Sequence, residues 1–300
     1  MDNDGIENEP GREVKAGQPD GQNGLPTLGK KWTLWMDIKQ GGCLGEQGVV
    51  GYCMDVAVHS DGSIIIADTE GNRLIKLGPS GDQLRWVHPE ADQPGCIDNP
   101  TGVAVNADDQ LLVLDDNTSL KILSQEGELV QQFTPLMESG GVPSCIAVDG
   151  QCQIAIGDEE NDVIMLFTPK GSVIKTIKAP MIADYLTVDS KGNFLYTNFS
   201  ESKMLSVDCH GNEVFCKDTV GESGQPIHPS GVCCDSAGDI YVSAQASPNI
   251  QSGGIHHFDP EGRYKGQVIL GLSNPFGIVF TPGGQLVVAD GVSVKIFHSA

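Results

Sequence analysis

An all-β fold, a six-bladed β-propeller, is predicted by three features of the 300-residue chain: a pattern written six times, its period, and a last copy that is one strand short. The pattern is a short apolar run, a polar Asp/Gly turn and a second, stronger apolar run. It reads DVAV–HSDG–SIIIAD from Asp55, GVAV–NADD–QLLVLD from Gly102 and CIAV–DGQC–QIAIGD from Cys145. It continues as YLTV–DSKG–NFLYTN from Tyr185, GVCC–DSAG–DIYVSA from Gly231 and GIVF–TPGG–QLVVAD from Gly277. The starts step by 47, 43, 40, 46 and 46 residues, the spacing of propeller blades built from strands rather than of helical arrays.

Each repeat supplies four strands. The first is short and small-residued, as a strand crowded around a channel must be. The second is continuously apolar (SIIIA from Ser63, QLLVL from Gln110), as expected of a strand covered on both faces by neighbouring blades. The third alternates more (RLIKLG from Arg73, KMLSV from Lys203) and ends at a Gly turn such as PSGD or PKGS, which supplies the positive φ of a tight hairpin. The fourth is the most polar, with large anchors such as Trp86 and Phe133. The sixth repeat yields three strands before Ala300. Its missing strand is expected from Lys31-Trp32-Thr33-Leu34-Trp35-Met36, which would bury two tryptophans and close the ring by joining the two ends of the chain. Too few residues separate Met36 from Asp55 for a seventh blade.

The predicted propeller covers residues 29–300. Residues 1–28, with five glycines, three prolines and no aromatic residue, are expected to be a disordered acidic tail. The formal charge of −22, with 18 Lys and Arg against 40 Asp and Glu, repels phosphate backbones and anionic membranes and favours basic partners or cations. An alternative is that the acidity serves solubility alone. No export signal and no apolar run of membrane-spanning length is visible, so a cytoplasmic location is expected. Nine cysteines cannot all pair within the chain, and none forms a CxxC. Reduced thiols are therefore expected, without a zinc ribbon or a RING-type finger.

Pro100-Thr101-Gly102-Val103-Ala104-Val105 and Ile66-Ala67-Asp68-Thr69-Glu70-Gly71-Asn72-Arg73-Leu74 carry a family resemblance. Together with the PxG openings at Pro100, Pro229 and Pro275, they resemble the NHL-repeat propellers, over about Lys30 to Ala300. Within that family the chain looks most like the C-terminal domains of tripartite-motif (TRIM-NHL) ubiquitin ligases and their relatives. The resemblance implies a propeller that recruits a protein or, in some members, RNA, with ligase chemistry residing in a separate zinc module. The chain departs from the pattern after the first repeat, the only one that keeps the Arg.

Two loop sets should share one face: those entering the inner strands and those joining strands two and three. The binding face is expected to comprise Tyr52, Glu70, Asn72, Arg73, Asp116, Asn117, Glu159, Glu160, Asp162, Phe199, Glu201, His228 and Phe276. Its carboxylates oppose the counterion release and aromatic stacking on which RNA binding depends, so nucleic acid is not expected as a ligand. The run Asp158-Glu159-Glu160-Asn161-Asp162 invites a calcium reading, but five consecutive residues cannot all turn to one ion, and a solvated acidic loop is the simpler expectation. His228, without an orienting carboxylate nearby in sequence, is not read as catalytic. His256 and His257 should point to opposite faces of a third strand. The sequence thus predicts a non-catalytic interaction propeller without metal or cofactor, recruiting a protein with a basic surface. The alternative is a metal-dependent hydrolase or lyase of the gluconolactonase type, which would hold its ion at the channel centre.

Overall fold

The computed structural model describes residues 31–39, 50–79, 84–87, 95–116, 119–137, 140–247 and 250–299. The expected tail and Asn117 lie outside the described residues. Among the described residues, strands form six antiparallel sheets of four, in the order the repeats dictate. The first blade is β2 (Cys53–Val58), β3 (Ile64–Asp68), β4 (Arg73–Leu77) and β5 (Leu84–Val87). The second is β6 (Pro100–Val105) to β9 (Leu129–Phe133), and the third β10 (Pro143–Val148) to β13 (Val173–Lys178). The fourth runs from β14 (Tyr185–Val188) to β17 (Glu213–Asp218), and the fifth from β18 (His228–Cys234) to β21 (Tyr264–Leu272). The sixth contains β22 (Pro275–Phe280), β23 (Leu286–Asp290), β24 (Ser293–Ser299) and β1 (Trp32–Lys39). Neighbouring inner strands touch in a circuit that closes, with β22 against β2.

The second strands Ile64–Asp68, Leu111–Asp115, Ile154–Asp158, Phe194–Asn198 and Leu286–Asp290 are buried at every position, which accounts for their unbroken apolar runs. Burial is organised between blades rather than at a centre. Six apolar clusters occupy the six interfaces; Ile65, Leu74, Val103 and Val113, for example, join blades one and two. Each cluster needs a blade on both sides, so the ring must be complete for any blade to hide its faces.

β1 completes the sixth blade, antiparallel to β24, from Trp32 opposite Ser299 to Lys39 opposite Ser293. Met36 and Ile38 pack against the cluster between blades six and one, and Trp32 against that between blades five and six. The expectation of two buried tryptophans is corrected. The register slips between Leu34 and Met36, and this bulge turns Trp35 outward, where it is 42% exposed and meets the His298 ring edge-on at 5.1 Å. The two histidines of β20 (Ile250–Phe258) point oppositely, as expected. His256 lies beside Tyr264, while His257 stacks on Tyr241 and meets Asp239 Oδ2 at 3.0 Å.

Candidate functional site: the channel mouth

Strand pairing places the two loop sets at one end of the ring: Cys53 lies opposite Asp68, Pro143 opposite Asp158, His228 opposite Gln245 and Pro275 opposite Asp290. The last residue of each second strand, or in blade five Gln245 two residues before the strand's end, is therefore next to the loop that enters its own blade. In four blades this residue is an aspartate, and Asp68, Asp115, Asp158 and Asp290 are all buried. Asp68 accepts from the backbone N–H of Gly51 at 3.0 Å and of Gly71 at 3.2 Å, and from Arg73 Nε at 2.7 Å. A Cβ at Gly51 would lie 2.4 Å from that carboxylate, which is why the loop carries glycine there. Asp115 accepts from Asp98 N–H and Lys121 Nζ, and Asp290 from Ser273 and Asn274 N–H and Lys295 Nζ.

These carboxylates tie the entry loop to the strand 2–3 turn, and a cation on the third strand balances the charge. Arg73, Lys121 and Lys295 share this job, so lysine replaces the arginine in blades two and six, at the same five-residue spacing from the aspartate in blade six and one residue further along in blade two. In blade three the Asn161 backbone N–H and side-chain Nδ2 donate to Asp158 instead. In blades four and five the acid is an amide, Asn198 or Gln245, and needs no cation; Lys203 there turns outward to Asp218 at 2.5 Å. The picture of Asp158 as part of a solvated loop is thus corrected, and Arg73, still partly exposed, also takes part in these ties.

The other expected residues surround the mouth. Glu70, Asn72, Asp116, Glu159, Glu160, Asp162 and Glu201 are exposed around it. Asn72 Oδ1 accepts from Asn99 N–H at 2.8 Å, and Asp162 Oδ1 from Met181 N–H at 2.6 Å, so these two side chains also shape their loops. The aromatic residues come together in two pairs. Tyr52 meets Phe276 at 5.6 Å where blades one and six adjoin, and Phe199 meets His228 at 5.0 Å where blades four and five adjoin. His228 Nδ1 lies 3.0 Å from the Phe199 carbonyl oxygen and 3.3 Å from Ser202 Oγ, so the ring braces a loop.

The channel itself is closed by a residue the sequence reading passed over. The position at which each repeat begins, within its inner strand, is Asp55, Gly102, Cys145, Tyr185, Gly231 and Gly277 in turn. Tyr185 reaches across the ring and donates from its hydroxyl to the Met54 carbonyl of the opposite blade at 2.6 Å. A tyrosine where three other repeats carry glycine was the available signal. Asp55 lies beside it and fills the space left by Gly277, where an added Cβ would fall 2.1 Å from Asp55 Oδ1. Its oxygens accept from Val56 and Val103 N–H, each at 2.9 Å. Enclosure in the channel pushes its carboxyl up to about 7 against these two donors.

Tyr185 divides the space. Inside the channel is a void of about 230 Å³, walled by Val58, Val105, Val148, Val188 and Val279 together with Asp55. Toward the loops is a cup of about 560 Å³, whose walls include Met54, Glu159, Asp184, Phe199, Gln245 and Phe276. Asp184 opens into the cup and accepts from Phe199 N–H at 2.7 Å; its carboxyl is raised first by desolvation between these walls and then by the nearby Glu159. Among the described residues, no three His, Cys, Asp or Glu side chains converge as a metal site would require. Both oxygens of Asp55 and one of Asp184 accept from backbone N–H groups.

Ring closure, repeat pattern and loop arrangement together define a six-bladed β-propeller, consistent with the resemblance of its repeats to NHL repeats. In sequence it is similar to E3 ubiquitin-protein ligase TRIM32 of Homo sapiens and of Mus musculus, 26% identical over 290 residues in each case. The match covers 84% of this chain but 42% of those proteins, so the chain spans under half the length of the curated relatives it matches. No family model matches the chain. Similar solved structures include a gluconolactonase from Xanthomonas campestris (TM-score 0.67, 13% identity, 84% of this chain and 87% of that one). A streptogramin B lyase also matches (TM-score 0.62, 12% identity, 90% and 98%). At these identities the likeness extends to the fold alone. Among the described residues, no helix is long and apolar enough to cross a membrane.

Proposed function

We propose that this propeller is a non-catalytic, cytoplasmic recruiting module that uses its mouth face to hold a protein with a Lys/Arg-rich surface, in a ubiquitin-ligase pathway. The observation that carries the reading is the separation of charge. The acids Glu70, Asp116, Glu159, Glu160, Asp162 and Glu201 are exposed around the mouth, while Arg73 and Lys203 are engaged by Asp68 and Asp218. Fields from equivalent loops add over such a face and accelerate encounter with a basic partner, while the Phe199 and Phe276 rings supply anchoring area. The same field opposes RNA. Similarity to a named E3 ubiquitin-protein ligase supports the pathway. The alternative, a channel hydrolase or lyase, has the fold likeness on its side, but among the described residues no three His, Cys, Asp or Glu side chains converge to hold an ion.

Affinity capture followed by kinetics tests the reading. Reversing charge with Glu159→Lys and Glu160→Lys should slow association of a captured partner about tenfold at low salt and flatten its salt dependence. Phe199→Ala or Phe276→Ala should speed dissociation with the fold intact by circular dichroism. A partner that binds all these variants undiminished, yet is lost on mutation of the opposite-face turns at Asp61 or Gly238, places the surface elsewhere.

A further inference from the structure

Resting on that reading, we propose that the cup above Tyr185 is a socket for one Arg or Lys side chain projected by the partner, with Asp184 as its counterion and Glu159 as a second acceptor. The cup is a built cavity rather than a stretch of acidic surface. Its volume of about 560 Å³ falls within the roughly 300–1,000 Å³ typical of pockets that enclose a ligand. Its floor is Tyr185, pinned across the channel to Met54. Part of its wall is rigid as well. Tyr52 packs against Phe276 and accepts from Asn274 Nδ2, while Gln245 Nε2 donates to Asn274 Oδ1. Phe199 is held by its N–H on Asp184 and by His228 against its ring.

The lining specifies the guest. Met54, Ala183, Phe199 and Phe276 offer apolar and aromatic surface for a methylene stem, and a ring face adds cation–π attraction. Asp184 and Glu159 provide the charge, and no Lys or Arg is among the lining residues to neutralise them. Asp184 spends one oxygen on the Phe199 N–H, leaving the other for a charge-assisted hydrogen bond. An anion would meet two carboxylates, and a purely apolar guest would leave them desolvated without compensation. A cation on a long stem satisfies both halves of the wall.

The test uses the whole chain with methyl-labelled methionines and the peptide acetyl-Gly-Ser-Arg-Ser-Gly-amide, with versions carrying Lys, citrulline, norleucine or Glu in place of Arg. Met54 reports from inside the cup, and the buried Met165 and Met204 serve as controls. The Arg and Lys peptides should shift the Met54 methyl saturably, with citrulline, the neutral isostere of Arg, at least tenfold weaker. Asp184→Asn, which keeps an acceptor for Phe199, should weaken Arg binding at least tenfold with unchanged control signals, and Glu159→Gln a few-fold. Citrulline or norleucine binding as tightly as Arg, or a Met54 signal unmoved by every peptide, overturns the proposal. If Glu159→Lys still slows a captured partner while Met54 ignores the Arg peptide, the socket fails and the recruiting face stands. If neither responds, the face itself is wrong.

Discussion

The two tryptophans of β1 make a sharp experiment because the bulge between Leu34 and Met36 assigns them opposite fates. Trp32 packs on Tyr241 and Phe280, each with ring centroids 6.0 Å away, at the seam between blades five and six. A buried Trp→Ala typically costs about 3–5 kcal/mol. Trp32 is half-buried, which takes the expected loss toward the lower end. Its buried indole N–H has no hydrogen-bond partner, so removing the ring also relieves about 1 kcal/mol of desolvation. Trp32→Ala should therefore cost about 2 kcal/mol. Trp32→Phe, which keeps ring packing and deletes the stranded N–H, should cost less than about 1 kcal/mol by the same accounting. Trp35→Ala forfeits an exposed edge contact with His298 worth about 0.5–1 kcal/mol. Urea unfolding followed by circular dichroism, with calorimetry to check that the transition is two-state, measures all three. If Trp35→Ala is as costly as Trp32→Ala, or Trp32→Phe as costly as Trp32→Ala, the account of the seam is refuted.

Two further outcomes follow from buried charge. Asp55 holds its proton to about pH 7 in the folded protein but releases it near 3.8 when unfolded, so the folded state binds more protons between those values. Its contribution to stability is fully present below about pH 4 and is lost as pH rises through 7, by at most about 4 kcal/mol. Asp55→Asn should flatten the fall in urea midpoint between pH 5 and 8, and a variant that keeps the wild-type slope removes Asp55 as its source. Lys121→Met strands Asp115, both residues being nearly inaccessible to solvent, and should cost about 3–5 kcal/mol. Adding Asp115→Asn should recover most of that loss in the same unfolding assay, and a double variant no more stable than the single one shows that the charge pair was not the cause.

Blade count, strand order and closure were legible because burial on both faces of a second strand writes itself as an unbroken apolar run, as at Ile64–Asp68. The shortfall at Ala300 likewise pointed to the strand containing Trp32. The fate of Trp35 was not legible: period-two reasoning has no term for a bulge, and one inserted residue reverses a side chain. Nor did loop composition separate Asp68, Asp115, Asp158 and Asp290, which are internal ties, from Glu70 or Glu160, which face water. Sequence shows the charge but not the N–H groups that converge on it. Tyr185 was visible only as an oversized residue in a glycine position, and its meaning depended on which blade stands opposite.

The partnership of β1 with β24 also sets an order in time. During synthesis the strand containing Trp32, Met36 and Ile38 emerges before any blade exists, and its partner β24 is the last strand of the propeller to be made. Five blades can assemble while this segment waits with its apolar side chains uncovered, and the final pairing has the longest loop to close. Maturation of the ring is thus gated by the encounter of the propeller's first and last strands. Until that encounter, β24 is a bare edge that another nascent copy's first strand also fits, so crowded synthesis raises the share of exchanged dimers.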